Sequence, residues 1–541
     1  MSFRHLILGA LSAASLASAA QAASGPVVDA PAGAVEGRLD RGVRAFKGLP
    51  YALPPVGPLR WAPPKPAARW SGVRDASQFG PPCVQPKSTV ASIYASDIGT
   101  PSEDCLSLNI WSPKDARAAP VLVWIHGGSL RTGSSRESMY DGAKLAARGV
   151  VVVSINYRLG VLGYLAHPQL SAESPLGVSG NYGLLDQIEA LRWIRANIAA
   201  FGGDPANVTI AGESAGGLSV MYLMAAPDAR GLFAKAVAES AYMISTPALR
   251  DRVHGETPAE AAGATFAARV RAPDLAALRA MDAETLSQAP FAPLGVVDGK
   301  VLPHQIVEAF DRGEQAPVPL LAGFNSGEIR SLRMLAPPVP ASKAAYEQMI
   351  RERYGDLADA YLRLYPSSDM AEAILASSRD ALYGWTAERL VRKQTSLGQP
   401  AYLYIFDHGY PAADDNGLHA HHASEIPYVF GTMDRAPPLW PRPPAVASEA
   451  RLTAAMMDYW TSFARTGAPR AAQQPDWPAY GSAGAFMAFQ ETPRVSARLM
   501  PGMYDLIEQV VCRRRADGTQ PWNWNAGLVS PPLPPKSPAC G

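Results

Sequence analysis

The sequence predicts an α/β fold with a mostly parallel central sheet and helices on both of its faces. Three observations lead there. Val121-Leu-Val-Trp-Ile125 and the stretch from Gly149 to Asn156, unbroken from Val150 to Val153, are continuous apolar runs of strand length. That is the pattern of strands covered on two faces rather than one. Tyr182 to Ala199 carries Leu184, Leu185, Ile188, Leu191, Ile194 and Ile198 at the spacing of a helix. Strand-like and helix-like segments then keep alternating, which argues for parallel strands joined by helical crossovers.

Taken in order, Val208 to Ala211 reads as a short strand and Ser214 to Met224 as the helix after it. Ala234 to Glu239, Pro319 to Phe324 and Ala401 to Phe406 are further strands, and Ala450 to Phe463 is a late helix. Pro258 to Leu286 and Ala341 to Gln394 have helical patterns with no strand between their parts. They read as insertions over one edge of the sheet, where a lid and pocket walls would sit. Leu49 to Pro66 and Ala436 to Pro444 are Pro-rich and read as surface loops, and Ser530 to Pro538 as an extended tail.

Composition narrows the class. Of 541 residues, 48% are hydrophobic and 18% charged, the balance of a packed globular chain. Lys plus Arg number 49 against 48 Asp plus Glu, so no net field argues for nucleic acid or an anionic membrane as partner. Arg4 and His5, the apolar run from Leu6 to about Ala17, and Ala20-Gln21-Ala22 have the parts of an export signal with cleavage after Ala22. The expected organisation is a signal peptide over 1–22 and one domain over 23–541, located in the periplasm or outside the cell. No other stretch has the uncharged apolar length of a membrane span. Export permits disulfides. The four cysteines allow three pairings, and Cys83–Cys105 with Cys512–Cys540 closes the two short local loops.

The chemistry is concentrated in three places. Gly212-Glu213-Ser214-Ala215-Gly216 matches G-x-S-x-G. The match alone is weak, but its position after a strand and at the start of a helix is that of a nucleophile elbow. This makes Ser214 the candidate nucleophile, with Glu213 beside it as a supporting residue, and makes the sheet that of an α/β-hydrolase fold. Trp124-Ile-His-Gly-Gly-Ser129 leaves a buried strand and can aim backbone N–H groups at a substrate oxygen. The candidate oxyanion donors are Gly128, Ser129 and Ala215, with Gly127 shaping the turn. A serine nucleophile needs an imidazole and a carboxylate that orients it, and in this class both follow the serine in the chain. His419, His421 and His422 cluster in one tract, and composition does not choose among them. With no carboxylate or Cys at ligand spacing beside it, that tract is not read as a metal site.

Longer matches decide. Phe46-Lys-Gly-Leu-Pro-Tyr-Ala52, Pro54-Pro-Val-Gly-Pro-Leu-Arg-Trp61, Ser102-Glu-Asp-Cys-Leu-Ser-Leu-Asn-Ile-Trp111, Asn156-Tyr-Arg-Leu-Gly160, Gly180-Asn-Tyr-Gly-Leu-Leu-Asp-Gln187, Phe201-Gly-Gly-Asp-Pro-Ala-Asn-Val208 and Ala211-Gly-Glu-Ser-Ala-Gly-Gly217 run through most of the chain. Together they resemble the type-B carboxylesterases, the family of cholinesterases and bacterial para-nitrobenzyl esterases. The resemblance implies ester hydrolysis through an acyl-enzyme, with no metal or organic cofactor. It implies His422 as the base, because Glu425-Ile-Pro-Tyr-Val-Phe-Gly431 sets the register, with Ala423 where the family has glycine. It implies Glu328 as the acid, from Gly323-Phe-Asn-Ser-Gly-Glu328, and Ser240 as a supporting hydroxyl. It also favours the Cys83–Cys105 pairing.

Arg131, after the oxyanion turn, and Arg330 and Arg333, after Glu328, suggest a substrate side. Guanidinium groups bind carboxylates in bidentate fashion, so the expectation is an anionic or polycarboxylic acyl group, such as the tricarballylic esters of fumonisin-type toxins. The alternatives are a general carboxylesterase or lipase acting on neutral esters, and a non-catalytic cholinesterase-like binding protein.

Overall fold

The computed structural model describes residues 25–87, 91–523 and 527–540. The leader proposed over 1–22 lies outside them. The central sheet has eleven strands, in chain order β1 (Arg38–Asp40), β2 (Val43–Pro50), β3 (Ser107–Pro113), β4 (Ala119–Ile125), β5 (Val151–Ile155), β6 (Gly203–Glu213), β7 (Lys235–Glu239), β8 (Leu320–Asn325), β9 (Ala401–Phe406), β10 (Ala485–Phe489) and β11 (Pro493–Ala497). Across the sheet they run β11-β10-β9-β8-β7-β6-β4-β5-β3-β2-β1. The stretch from β10 through β5 is parallel, and the pairs at both margins are antiparallel. A three-stranded sheet of Val27–Ala30, Gly33–Glu36 and Val73–Asp75 stands apart from it.

The apolar runs explain the layering. Side chains alternate across a strand, so Val121, Val123 and Ile125 join the core on one face while Leu122 and Trp124 join the core on the other. Val151 and Val153 face one way and Val152 the other. Helices α1 (Tyr182–Asn197) and α2 (Ala215–Ala225) contribute to the first core, and α4 (Ala447–Thr466) to the second, after α3 (Trp385–Ser396) returns to the first. The expected elements occur with shifted ends: the strand at Val208 extends back to Gly203 and the late helix extends at both ends, while the strand expected from Gly149 to Asn156 is confined to Val151–Ile155.

One expectation changes. The region 341–394 is not wholly an edge insertion, because α3 packs on β8 and β9. Neighbouring parallel strands need a crossover between them, and α3 is the last piece of that crossover. Both proposed disulfides are formed, Cys83–Cys105 and Cys512–Cys540; the second ties the C-terminal tail to the helix Met503–Asp517. Among the described residues no helix is long and apolar enough to cross a membrane.

Candidate active site

The sequence-predicted groups converge where parallel strands end. Ser214 follows β6, Glu328 follows β8, His422 lies on the loop after β9, and the glycine turn follows β4. Carboxyl ends of parallel strands are where open α/β sheets hold their ligands. The sheet ladder runs on into these loops: the Ser214 N–H donates to the Glu239 carbonyl (3.0 Å), Ser240 N–H to Gly323 (2.8 Å) and Ser326 N–H to Phe406 (2.9 Å).

Ser214 has φ 57° and ψ −120°, a conformation that side chains rarely adopt, and α2 begins at the next residue. Strain of this kind persists only where the surroundings enforce it. Here the turn is too tight for side chains on either flank. A Cβ on Gly216 would lie 2.1 Å from the Ile125 carbonyl oxygen, and one on Gly212 would lie 2.5 Å from the Gly216 carbonyl carbon. The hydroxyl therefore stands at the helix N-terminus, whose dipole favours developing negative charge.

The glycine turn packs directly against this elbow. A Cβ on Gly127 would lie 2.9 Å from the Glu213 carbonyl oxygen and 3.3 Å from the Ser214 Cβ. Gly128, Ser129 and Leu130 have φ of 101°, 56° and 55°, which turns the chain so that Arg131 and Thr132 donate back to the Gly128 carbonyl. Among the described residues the N–H groups of Gly128 and Ser129 donate to nothing in the chain, and Ala215, the first residue of α2, has no partner within its helix. The Ala215 amide is buried, and with the N–H groups of Gly128 and Ser129 on the more open turn it makes three donors available for a ligand oxygen. His126, just before the turn, is stacked on Tyr157 with ring centroids 4.6 Å apart; burial pushes its imidazole down to about 4, so it is neutral.

Glu328 is fully buried and accepts three hydrogen bonds: from His422 Nδ1, from Ser240 Oγ (2.6 Å) and from the Asn325 N–H (2.8 Å). The other ring nitrogen of His422, Nε2, is 3.1 Å from Oε1 of Glu213. Among the described residues no hydrogen bond joins Ser214 Oγ to His422, so proton transfer requires the imidazole or the hydroxyl to turn from this arrangement; such bonds commonly tighten only with substrate. Burial pushes the Glu213 carboxyl well up. Burial also pushes His422 down, but Glu213 and Glu328 together outweigh it and hold the imidazole up. The Glu213 carboxyl and the His422 imidazole therefore push each other's titration: the ring's charge lowers the carboxyl and the carboxylate's charge raises the ring.

A consequence is measurable. A base must be unprotonated, so kcat/KM rises with pH through the imidazole's apparent pKa. Replacing Glu213 by Gln removes the largest carboxylate attraction on the imidazolium, and the acid limb of the kcat/KM profile is expected to move down by about one pH unit. A limb that stays in place would show that Glu213 carries no charge there.

The other candidates separate. His421 is buried, and burial lowers it to about 4. His419 is bound to Asp407 and Asp414. Neither contacts Glu328. Arg330 pairs with Glu372 at 2.7 Å, so a substrate carboxylate would compete with that pair for its guanidinium. Arg131 and Arg333 are exposed and make no ion pair among the described residues. Sequence reasoning missed three aromatic neighbours. The Tyr94 hydroxyl donates to the His422 carbonyl (3.0 Å) and accepts from Ser331 Oγ (2.7 Å) from within the Cys83–Cys105 loop. Tyr383 lies with its ring 5.4 Å from that of His422 and 6.2 Å from that of Tyr242. Tyr383 sits in a five-residue π-helical turn, Asp380–Gly384, a distortion frequent at functional sites and not visible as a sequence pattern.

Known proteins match this chain along most of its length. Residues 24–506 match the Carboxylesterase family. A fumonisin B1 esterase from Sphingopyxis macrogoltabida is 38% identical over 486 residues, covering 84% of this chain and 85% of its own. The para-nitrobenzyl esterase of Bacillus subtilis (strain 168) is 36% identical, covering 84% and 92%. A crystal structure of a Geobacillus stearothermophilus carboxylesterase superposes with a TM-score of 0.76 at 34% identity, covering 89% of this chain and 99% of that one. The chain belongs to the type-B carboxylesterase family and is a carboxylic ester hydrolase.

Proposed function

We propose that Ser214, His422 and Glu328 carry out two-step ester hydrolysis, and that the preferred esters have acyl groups bearing free carboxylates. The observation carrying the first part is the strained Ser214 on its elbow, beside the Glu328–His422 pair and three unspent amides. In this reading Ser214 Oγ attacks the ester carbonyl while His422 Nε2 takes its proton. Glu328 holds the proton on Nδ1, which leaves the Nε2 lone pair free. The carbonyl oxygen, now an oxyanion, accepts from Gly128, Ser129 and Ala215. His422 returns the proton to the leaving alcohol, and water, deprotonated by the same nitrogen, releases the acid and Ser214.

The substrate class is supported by Arg131 and Arg333, two exposed guanidinium groups that have no ion-pair partner among the described residues and that follow the glycine turn and Glu328. A relative named fumonisin B1 esterase adds to it. We also propose that residues 1–22 form a leader removed on export, a setting in which both disulfides persist.

The test is a panel of p-nitrophenyl and alkyl esters measured beside tricarballylic and other free-carboxylate esters, with Ser214→Ala as control. Replacing both Arg131 and Arg333 by alanine is expected to lower kcat/KM for the carboxylate-bearing esters about tenfold or more, and to leave neutral esters within about twofold. An equal change for both groups would leave a general carboxylesterase acting on neutral esters.

A further inference from the structure

His419 forms an ion cluster of its own, separate from the Glu328–His422 pair and three residues before His422. Its Nδ1 is 2.8 Å from Asp414 Oδ1 and its Nε2 is 3.3 Å from Asp407 Oδ1. Ionised carboxylates only accept hydrogen bonds, and a neutral imidazole has a single N–H. Both contacts are therefore satisfied only by the imidazolium, with its two donors. The site is shaped for this group: a Cβ on Gly409 would lie 2.2 Å from His419 Nδ1 and 2.4 Å from Asp414 Oδ1. Asp407 is anchored in turn, accepting from Gln490 Nε2 (2.9 Å) and donating its N–H to the Phe489 carbonyl (2.8 Å).

The residues that follow reach the catalytic groups directly. His419, with φ 48°, turns the chain, and its carbonyl accepts from the His421 N–H (3.0 Å). The Ala420 carbonyl accepts from Gly327 N–H (2.8 Å), next to Glu328, and the His421 carbonyl accepts from Asn325 Nδ2 (2.9 Å). We propose that His419, as an imidazolium clamped between Asp407 and Asp414, is a positioning residue that fixes the loop presenting His422 to Glu328. This rests on the assignment of His422 as the base.

The clamp is pH-dependent by construction. The charged groups facing His419 are Asp407, at the end of β9, and Asp414, in the short helix Pro411–Asp414. Gln490, from the turn between β10 and β11, is uncharged, and on its own loop His421 is held neutral by burial. The hydrogen bond to Asp407, and then that to Asp414, hold the imidazole above its usual value against burial, while Asp407 is held down at about 2. For a group raised on folding, the clamp is complete below the unfolded pKa of about 6.5 and is lost as pH rises through the folded value.

The experiment uses kcat per active site, counted by labelling Ser214 with a fluorophosphonate, from about pH 6 to about pH 10, the span of an upshifted histidine. His419→Asn keeps a residue that tolerates the left-handed backbone and removes the cation. Asp414→Asn, at a half-exposed position, weakens the hold on the proton while leaving His419. The expected result is a kcat about three- to tenfold lower in His419→Asn with KM little changed, as for a misplaced base. The alkaline decline of the native enzyme is expected to disappear in that variant and to move to lower pH in Asp414→Asn. Unchanged kcat per labelled Ser214 with an unchanged alkaline limb in both variants would overturn the clamp, whatever happens to Tm. Failure of Ser214 to label in the native enzyme would sink the underlying assignment instead, and the clamp's catalytic role with it.

Discussion

Alanine at position 214 is expected to lower kcat about a millionfold while leaving KM and Tm close to native, the size of effect known for removing a nucleophile from a triad. The expected stability follows from the structure. The elbow backbone is held by the Ser214 N–H bond to Glu239 and by contacts at Gly212 and Gly216, none of which uses the hydroxyl. The remaining rate enhancement should come from the three amides and from substrate binding. The measurement is kcat and KM on one chromogenic ester, alongside a thermal melt. A loss of less than about a hundredfold would place the nucleophile elsewhere.

Glu328→Gln is expected to cost about 10⁴-fold in kcat, because it turns the imidazole to the wrong tautomer. The carboxylate now accepts from three donors: His422 Nδ1, Ser240 Oγ and the Asn325 N–H. A glutamine has one accepting oxygen and brings an N–H₂ of its own. The Asn325 amide cannot become an acceptor, so it claims the oxygen. The new donor then faces His422, which must present the Nδ1 lone pair and move its proton to Nε2. That is the atom that has to take the proton from Ser214. Ser240 can rotate its hydroxyl to adapt, so loss of Ser240 alone should be far milder, about that of one hydrogen bond to a charged group, 1.5–3 kcal/mol. Glu328→Asp keeps the charge and should recover part of the loss. A Gln variant within about tenfold of native would show that tautomer control is not what Glu328 supplies.

What could be read from the sequence follows from how local each signal is. The parallel strands were legible because burial on both faces leaves unbroken apolar runs, as in Val121–Ile125. The antiparallel margin was not. In Val43–Pro50 the register shifts between Phe46 and Leu49, and Gly48 has φ 67°, so the strand has neither an even alternation nor an apolar run. In Pro493–Ala497 four of five residues are exposed, and an edge with one wet face resembles a loop. At the site, the elbow was legible because the steric demand on Gly212 and Gly216 is written within five residues. The partners were legible only through the family resemblance, because Glu328 and His422 are 94 positions apart and meet only through the alignment of β8 and β9. Three histidines in one tract carry no local mark distinguishing base from clamp. Their surroundings differ through Glu328 after β8, Asp407 at the end of β9 and Asp414 in the short helix Pro411–Asp414. The pairing of Arg330 was not legible for the same reason, since its partner Glu372 lies 42 residues on.

The central claim is that the acyl group is held on Ser214 through a base at position 422. Intact-mass and peptide mapping of the enzyme quenched after a fluorophosphonate or a slowly turned-over ester tests it most directly. The account predicts one covalent adduct per chain on the peptide holding Ser214, absent in Ser214→Ala and formed far more slowly in His422→Ala. An adduct on another residue, or labelling at the native rate without His422, would contradict it.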